Sequence, residues 1–410
     1  DLQHLANALQ VTTIGGEVVC ASAAARAEGC VPVNIFGEGS ITDAMANYIR
    51  YDADLRQERE QVTGLASANG TLLELPAGPL KAAIGLEYRR EYQRTWGQGG
   101  DKILQTTSTG VPDIDARFDV VEAFAELDIP VVESVSLQLA GRVADYSTVG
   151  TVYSYNIGGS YFPSPDIRFR TQYSRSQRAP TLTEFFSPPR GDYDSLNDPC
   201  DGLLPDGSGI TPPPGSNTPA STIATNCLAE PGIQAYFADP ANAGQDFSAG
   251  GSVFGPNAGN TNLTEETADT FTAGVIFTPR FVPGLALIVD YYQINVKDAI
   301  GSVSTQLAAE LCYTAENYPN NRFCDTITRN AANGQVREVI NQAENLDEYK
   351  TAGIDTTLDY DFEIGGIPGD FDLNVIYTHY LEDSYSFQAI DGLQEENTLG
   401  IIGNPQDEFR

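Results

Sequence analysis

Six cysteines are the residues of this chain whose number and spacing point most directly to chemistry. They fall into three pairs that are close in sequence: Cys20 with Cys30, Cys200 with Cys227, and Cys312 with Cys324. Six thiols allow fifteen disulfide patterns, of which pairing between near neighbours is the simplest, and an even count suits an oxidising compartment. Zinc binding is the alternative, but there is no Cys-x-x-Cys motif and the only histidines are His4 and His379. We therefore predict disulfides, with no metal and no other cofactor.

No arrangement of residues predicts an enzyme, and we identify no catalytic residue. The sequence lacks a Gly-x-Ser-x-Gly elbow, a phosphate-binding loop and a His-Glu-x-x-His motif, and two distant histidines leave little room for a triad. Carboxylates are abundant, so a glycosidase-like pair stays open as an alternative. We expect most of these acids to be solvated, and we predict binding and structural roles for the other candidate residues.

Five aromatic residues in the long segment 177–264 are candidates for ligand binding: Tyr193, Tyr236, Phe237, Phe247 and Phe254. Their rings could stack on a sugar ring or on a metal chelate. The alternative is that they pack the long segment onto itself. The aspartates of the same segment miss the spacing of a calcium-binding EF-hand loop, so we expect a solvated acidic surface there.

The charge of the chain narrows the class of partner. There are 56 acidic and 23 basic residues among 410, which gives a formal net charge of −33. No basic patch is available to release counterions from a phosphate backbone, and this argues against nucleic acid as a partner. We interpret the acidic excess as a property that keeps large exposed loops soluble.

The elements that must position these residues are β-strands. The segment Gly353–Glu363 alternates almost perfectly between bulky side chains and acidic or hydroxyl side chains. Leu80–Tyr92, Val135–Ser147 and Ile167–Ser176 repeat this period of two, with the charges on one face. No window of about 18 apolar residues exists, which excludes a membrane-spanning helix but not a membrane-spanning barrel.

One predicted strand, Asp115–Asp128, departs from this pattern. Its acidic residues Glu122 and Glu126 share a face with apolar residues such as Val120. A β-bulge or a contact with another part of the protein would account for the mixture.

The connections between the predicted strands are sorted by length. The long ones are 1–55, 97–114, 177–264 and 299–344, whereas 382–392 is of medium length and the others are short turns. Alternate connections of an up-and-down sheet lie at opposite ends, and every long connection falls at the same end. This asymmetry is typical of outer-membrane barrels, whereas a soluble sandwich has no reason to show it.

Two blocks of sequence resemble a known family. Residues Asn260–Ile300 read N-x-N-L-x-E-E-T, an apolar strand, F-x-P-G-L and then D-Y-Y-x-I-x-V-K-D-A-I. In Ile167–Phe186, a strand ending in Arg-Ala-Pro precedes a long loop. Both blocks, which follow each other along the chain in the order found in the family, resemble the barrel of TonB-dependent outer-membrane receptors. Gly29–Gly37 resembles a segment that is common in one large branch of that family.

The resemblance implies an all-β fold, a transmembrane antiparallel up-and-down β-barrel of which this chain holds about 11 or 12 of roughly 22 strands. Residues 1–410 would form part of that barrel, with 177–264 and 299–344 as long extracellular loops. The family's plug domain and last strands have no counterpart here, and Asp1 begins in mid-pattern, so we expect a piece of a larger precursor. We also expect a short helix after Ser40, at about Ile41–Tyr51.

The polar faces of the strands should then line the lumen of the barrel. The candidates are Glu87, Arg89, Arg142, Arg168, Arg170 and Arg178. They would contact a plug domain or the passing solute, and the alternative is lumen hydration with cross-strand ion pairing. Arg178, with Glu184 shortly after it, marks the exit into the longest loop, and for these residues a structural role at the barrel rim is the alternative.

The function implied by the resemblance is energised import through the outer membrane of a Gram-negative bacterium. The partners would be outer-membrane lipid, the TonB-ExbB-ExbD system acting through the plug, and a scarce solute, either an oligosaccharide or an iron-siderophore. The main alternative is a surface structural or adhesive barrel without a plug, whose loops bind a partner and transport nothing. A soluble secreted β-protein is a third reading, and it predicts recovery without detergent.

Overall fold

The structure is a computed structural model that describes residues 1–52, 54–98, 112–390 and 392–410. The strands are β1 (Val11–Ile14), β2 (Glu17–Cys20), β3 (Asp54–Leu75), β4 (Gly78–Gln98), β5 (Ile114–Val132), β6 (Val135–Tyr146), β7 (Gly150–Ser164), β8 (Ile167–Arg178), β9 (Tyr193–Ser195), β10 (Ser252–Phe254), β11 (Asn257–Ala258), β12 (Glu266–Phe277), β13 (Leu285–Ser302), β14 (Ile327–Arg329), β15 (Val336–Val339), β16 (Asn341–Glu363), β17 (Asp370–Ala389), β18 (Gly392–Asn397) and β19 (Asp407–Phe409).

The helices are short and lie outside the main sheet. They are α1 (Leu2–Leu9), α2 (Ala23–Ala27), α3 (Asp43–Ile49), α4 (Leu182–Phe186), α5 (Ala220–Leu228), α6 (Pro231–Ala238) and α7 (Thr305–Tyr313). Among the described residues, none of them has the length and apolar character needed to cross a membrane.

The main sheet is an antiparallel meander that runs from β3 at one edge to β18 at the other. Its order is β3-β4-β5-β6-β7-β8-β12-β13-β16-β17-β18, so each long strand pairs with the next long strand of the chain. β18 and β19 pair with the same edge of β17, β18 at residues 384–389 and β19 at residues 377–379. These two short strands together form the last, interrupted strand of the sheet. Within the described part of the chain the sheet is not closed. The partial up-and-down barrel predicted from the sequence is confirmed.

The two faces of this sheet differ in chemistry. One face, which we call the apolar face, exposes Ile84 and Leu86 of β4, at 59% and 63%, and Ile157 of β7. Because successive side chains of a strand point to opposite faces, Glu87 and Arg89 lie on the other side, which we call the polar face. An exposed apolar face that extends over several strands marks a surface that contacts lipid or protein.

All the connections at one end of the strands, the turn end, are short, and the long ones lie at the other end, the loop end, together with the short connection 147–149. The turn end carries 76–77, 133–134, 165–166, 278–284 and 364–369, and the loop end carries the long segments 179–265 and 303–340. The predicted loop 299–344 is too wide, because residues on both of its flanks pair within β13 and β16. The predicted connection 382–392 shrinks to two residues because β17 continues to Ala389. The predicted loop 97–114 falls largely outside the described residues.

The two long segments, 179–265 and 303–340, fold together into one body, which we call the cap. It contains α5, α6, α7 and a four-stranded sheet in the order β14-β15-β10-β9. The predicted disulfides Cys200–Cys227 and Cys312–Cys324 lie within it. A segment as long as 179–265 would be unusual in a compact domain if it had no secondary structure. This segment instead forms helices and strands and shares a buried core with 303–340.

The first 52 residues contain more structure than the single helix that we predicted. A Gly-Gly turn joins β1 to β2, both glycines have positive φ, and the third predicted disulfide, Cys20–Cys30, follows it. The predicted helix exists as α3, but its N-cap is Thr42 rather than Ser40, because the Thr42 hydroxyl accepts from the Met45 N–H. The boundaries Ile41–Tyr51 are therefore corrected.

Candidate ligand-binding site

One buried core holds both segments of the cap together. Ile223 and Ile233 come from the first segment and Tyr313 from the second, and they pack in one cluster with Cys200, Cys227 and Cys312. Since each disulfide closes a loop of a different segment and both lie in this core, the two segments form a single folded unit.

An arginine with partners from both segments is buried in this core. Arg329 donates two hydrogen bonds to the Asp198 carboxylate, at 2.6 and 2.7 Å, and its Nε donates to Tyr313 Oη at 2.7 Å. The side chains of Arg329 and Asp198 are 3% and 1% exposed. The hydroxyls of Tyr313 and Tyr318 both donate to the Glu230 carboxylate. Burial raises the pKa of both tyrosines above its ordinary value, and the negative charge of Glu230 adds to the effect.

Three of the five aromatic residues proposed as ligand contacts pack the cap onto itself. Phe247 is fully buried, so the structure removes it from the ligand-binding candidates. The Tyr236 ring meets Phe247 at a right angle, with 5.4 Å between centroids, and Phe237 is 5.5 Å from Tyr236. Both are half-buried against the same cluster. Such large rings gain more from core burial than from exposure, and this was the packing alternative.

The other two aromatic residues lie together on an open face of the cap. Tyr193 of β9 and Phe254 of β10 are paired across the two strands, with their rings edge to face at 5.5 Å. Tyr193 is 61% exposed. Val253 points to the opposite side of the small sheet, where it is buried. The open side also carries polar groups at paired positions: Ser195, Ser252 and Glu338. We call these five residues the aromatic face of the cap.

A polar cluster fixes the strand that carries Tyr193. The neighbouring Asp194 accepts hydrogen bonds from the Thr305 hydroxyl at the start of α7 and from Asn341 Nδ2 at the start of β16, the latter at 3.1 Å. Asn341 also contacts Thr305 at 3.0 Å. These hydrogen bonds link β9 to the second segment and to the main sheet, and they hold the aromatic face in position.

On the polar face, Arg89 and Arg142 surround a buried carboxylate. Glu122 of β5 is 1% exposed, it forms an ion pair with Arg142, and its Oε1 is 3.9 Å from Arg89 Nη2. Glu87 lies directly opposite Glu122 on β4. A buried carboxylate requires a compensating charge, so two of the predicted lumen-facing arginines neutralise Glu122.

Arg168 and Arg170 lie on the same face of β8. Arg170 is held in a two-point ion pair with Asp290 of β13, with Nε at 2.9 Å, although β12 runs between their strands. The residue of β12 in between is Gly274, where any side chain would overlap the Asp290 carboxylate. The groove in front of this pair measures about 460 Å³. Arg168 contacts the Ser160 hydroxyl at 3.2 Å.

Arg178 ends β8 in a cluster with two carboxylates. It binds Glu184 of α4 at 3.1 and 3.2 Å, and its Nη2 donates to Glu266 of β12 at 2.7 Å. Glu266 in turn accepts from the Ile300 N–H at 2.8 Å. Burial raises the pKa of Glu184, but the hydrogen bonds from Arg178 and Thr181, with the charge of Arg178, together outweigh burial and hold the pKa below its ordinary value. This cluster fixes the direction in which the chain enters the cap.

Helix α4 explains the mixed strand β5. From the Arg178 cluster the helix folds back over the polar face, where Leu182 is buried with Phe118 and Val120 of β5. Gln93 of β4 donates to the Thr183 hydroxyl at 3.3 Å. The apolar residues of β5 therefore face α4, which is the contact with another part of the protein considered from the sequence.

An open antiparallel sheet of long strands, with one apolar face, one polar face and a folded cap at one end, defines a portion of a membrane-type β-barrel. The family model described as TonB dependent receptor-like, beta-barrel matches residues 31–405, and the chain belongs to this family. Members of this family are receptors and transporters rather than enzymes.

Solved structures of receptors share this fold. The ferric enterobactin receptor PfeA from Pseudomonas aeruginosa, a mutant in complex with enterobactin, is 15% identical with a TM-score of 0.50, covering 83% of this chain and 40% of the receptor. The siderophore receptor PirA of the same organism is 15% identical, with a TM-score of 0.45 and coverages of 82% and 46%. The chain thus spans less than half the length of these receptors. No curated protein matches the chain.

Proposed function

We propose that the protein is an outer-membrane receptor that captures a scarce solute on its cap and imports it with energy coupled from the inner membrane through TonB. One observation carries this proposal. Both long segments leave from the same end of the sheet and fold into a single disulfide-tied cap, above a face that exposes apolar side chains. Such an arrangement suits a barrel in lipid whose loop end faces the cell exterior.

The aromatic face of the cap is the proposed capture site. Tyr193 and Phe254 supply flat apolar surface, and Ser195, Ser252 and Glu338 supply donors and acceptors beside it. This combination suits a sugar ring, whose C–H groups contact an aromatic ring while its hydroxyls form hydrogen bonds. Tyr236 and Phe237 pack against the buried core around Phe247 rather than touch the solute.

Charge favours an uncharged cargo over an anionic one. The cap segments 179–265 and 303–340 contain 14 acidic and four basic residues, and one of the four, Arg329, is already neutralised in the core. An anionic chelate would meet repulsion over most of this surface. Of the two cargoes expected from the sequence, an oligosaccharide therefore fits better than an iron-siderophore, although PfeA was crystallised with enterobactin.

The arginines of the polar face are the proposed lining of the route below the cap. Arg168 and Arg170 line the groove in front of Asp290, and Arg142 and Arg89 lie around Glu122 on the same face, with Glu87 opposite it. We propose that the N–H groups of Arg142 and Arg170 that are not bonded to carboxylates donate hydrogen bonds to the solute or to a plug domain.

A binding and uptake comparison tests the proposal. Labelled neutral oligosaccharides and ferric siderophores are offered to cells that produce the protein, with and without a functional TonB system. We expect TonB-dependent uptake of an oligosaccharide, with binding weakened at least tenfold by Tyr193→Ala combined with Phe254→Ala. Phe281→Ala, which removes an aromatic residue that is 80% exposed at the turn end, is the control and should bind normally.

The outcomes separate the alternatives. Uptake of a ferric siderophore would support the receptor function but would show that the cargo is a siderophore rather than an oligosaccharide. Binding that never leads to uptake would favour the adhesive barrel, and binding of neither solute would contradict the proposal.

A further inference from the structure

Three strands of the main sheet carry the same short pattern on the apolar face. Each of β4, β8 and β17 runs from the turn end to the loop end, with mainly apolar side chains first, then a tyrosine and then an arginine or a histidine. The series are Leu80-Ala82-Ile84-Leu86-Tyr88-Arg90, Ile167-Phe169-Thr171-Tyr173-Arg175 and Phe371-Leu373-Val375-Tyr377-His379. Side chains two residues apart share a face, so each series is a continuous stripe.

An aspartate of the neighbouring strand completes each pattern. Asp119 lies directly opposite Arg90, Asp269 opposite Arg175 and Asp407 opposite His379. In every case the aspartate accepts from the tyrosine hydroxyl and lies within hydrogen-bond distance of a side-chain nitrogen of the arginine or histidine. We call the three sets the Tyr–Asp–cation clusters.

The distances show that these clusters are well formed. Asp119 lies 2.6 Å from Tyr88 Oη and 2.8 Å from Arg90 Nε. Arg175 binds Asp269 through Nε and Nη2, both at 2.8 Å, with Tyr173 Oη at 3.1 Å from the same carboxylate.

The third cluster uses a histidine in place of the arginine. Asp407 is 2.7 Å from Tyr377 Oη and 2.8 Å from His379 Nδ1.

The spacing of the clusters around the sheet is regular. Following the sheet order, β17 is four strands from β8, and β8 is four strands from β4. At about 4.8 Å between strands this corresponds to one cluster every 19 Å or so. The clusters form a belt at the border between the apolar stripes and the loop end, which is where the headgroups of a bilayer would lie.

The cations of the belt remain accessible. The side chains of Arg90 and Arg175 are 46% and 40% exposed. A guanidinium has five N–H donors, and the bonds to aspartate occupy one in Arg90 and two in Arg175, so other donors point away from the carboxylate. The aspartate binds each guanidinium through Nε, and the fork of N–H donors that points away from it suits two-point binding of a phosphate.

We infer that the Tyr–Asp–cation clusters form a belt that binds the phosphate groups of anionic lipids in the outward-facing leaflet and fixes the depth of the protein in the membrane. The inference rests on the proposed membrane location. Tyrosines suit this border because the ring can lie among acyl chains while the hydroxyl reaches the polar layer.

Lipid-dependent stability of the protein tests the belt. The protein is placed in nanodiscs of phosphatidylcholine alone and of phosphatidylcholine mixed with phosphatidylglycerol, and the unfolding midpoint is measured in each. We expect the anionic lipid to raise the midpoint of the native protein by several degrees. Arg90→Gln combined with Arg175→Gln should abolish this rise. The control, Arg322→Gln combined with Arg337→Gln, removes the same charge from the cap and should keep it.

Two further measurements, a control with inorganic phosphate and native mass spectrometry, distinguish lipid binding by the belt from other causes of a raised midpoint. A full rise in the belt variant would overturn the inference, as would an equal rise caused by inorganic phosphate added to phosphatidylcholine nanodiscs. Native mass spectrometry gives a second reading, because the belt variant should retain fewer phosphatidylglycerol molecules even if its midpoint in neutral lipid has changed. Failure of the native protein to enter nanodiscs would instead contradict the proposed membrane location.

Discussion

Arg329 is the residue whose loss should most weaken the cap. Replacing it by methionine keeps much of the side-chain volume but removes both hydrogen bonds from Arg329 to Asp198, whose side chain is 1% exposed and keeps only the bond from the Cys200 N–H among those described. Removing one partner of a buried ion pair costs about 3–5 kcal/mol, because the other charge stays buried without compensation. The Nε bond to Tyr313 and a bond to the Gly334 carbonyl at 2.8 Å are lost as well.

Hydrogen exchange of cap peptides, followed by mass spectrometry, measures this loss. A destabilisation of about 3–5 kcal/mol speeds exchange through cap opening by roughly two to three and a half powers of ten. The control is Arg322→Met in the same segment. Its ion pair with Glu344 has a distance of 3.2 Å and its side chain is 52% exposed, so the expected effect is below about 1 kcal/mol.

A second substitution checks the cause. Because a buried pair can be replaced by apolar groups without loss, Arg329→Met combined with Asp198→Leu should recover much of the protection that the single variant loses. If Arg329→Met exchanged no faster than Arg322→Met, or if the double variant were worse than either single variant, the assignment of Arg329 as the tie between the segments would be refuted.

Three further results are expected. Replacing Cys200 and Cys227 by serine should destabilise the cap by about 3.5 kcal/mol on the chain-entropy model for a closed loop of 27 residues, measured by urea unfolding. Gly274→Ala should lower the unfolding midpoint because the new methyl group displaces the carboxylate behind it, whereas Gly141→Ala, which meets open space, should not. Burial raises the pKa values of Tyr313 and Tyr318 in the folded cap. These two tyrosines therefore contribute fully to the stability of the cap below about pH 10, and the contribution is lost as the pH rises further. The free energy of unfolding of the cap, measured by urea unfolding, should therefore fall above about pH 10, and less so in Tyr318→Phe.

The main sheet could be predicted from the sequence because alternation is a local property of each strand. Where the alternation stops, the prediction stopped too. Residues 341–352 belong to β16, but there the strand lies beside the cap and both of its faces have polar or packed neighbours. The mixture of acidic and apolar side chains on one face of β5 could not be explained from the sequence for a similar reason. Val120 packs against Leu182, in a helix more than 60 residues away in sequence. The β1–β2 hairpin carried a local signal, Gly15-Gly16 between two β-branched runs, that should have been used.

Within the cap, the sequence predicted the bonds that join near neighbours and missed those that do not. The disulfides followed from the spacing of the cysteines. The pair Arg329–Asp198 joins residues 131 positions apart, and nothing in either local sequence distinguishes it from a surface charge. The aromatic residues show the same limit, because composition cannot tell a buried ring such as Phe247 from an exposed one such as Tyr193. That difference arises only when both segments fold together.

The central claim is that the apolar face contacts lipid and the polar face does not. A single tryptophan, placed in a background where the only natural one is removed by Trp96→Phe, tests it directly. Ile157→Trp and Asn156→Trp put the reporter on adjacent residues of β7 that point to opposite faces. In bilayers containing brominated lipids, the fluorescence at position 157 should be strongly quenched and that at 156 nearly unchanged. Equal quenching at both positions, or quenching at 156 alone, would contradict the account.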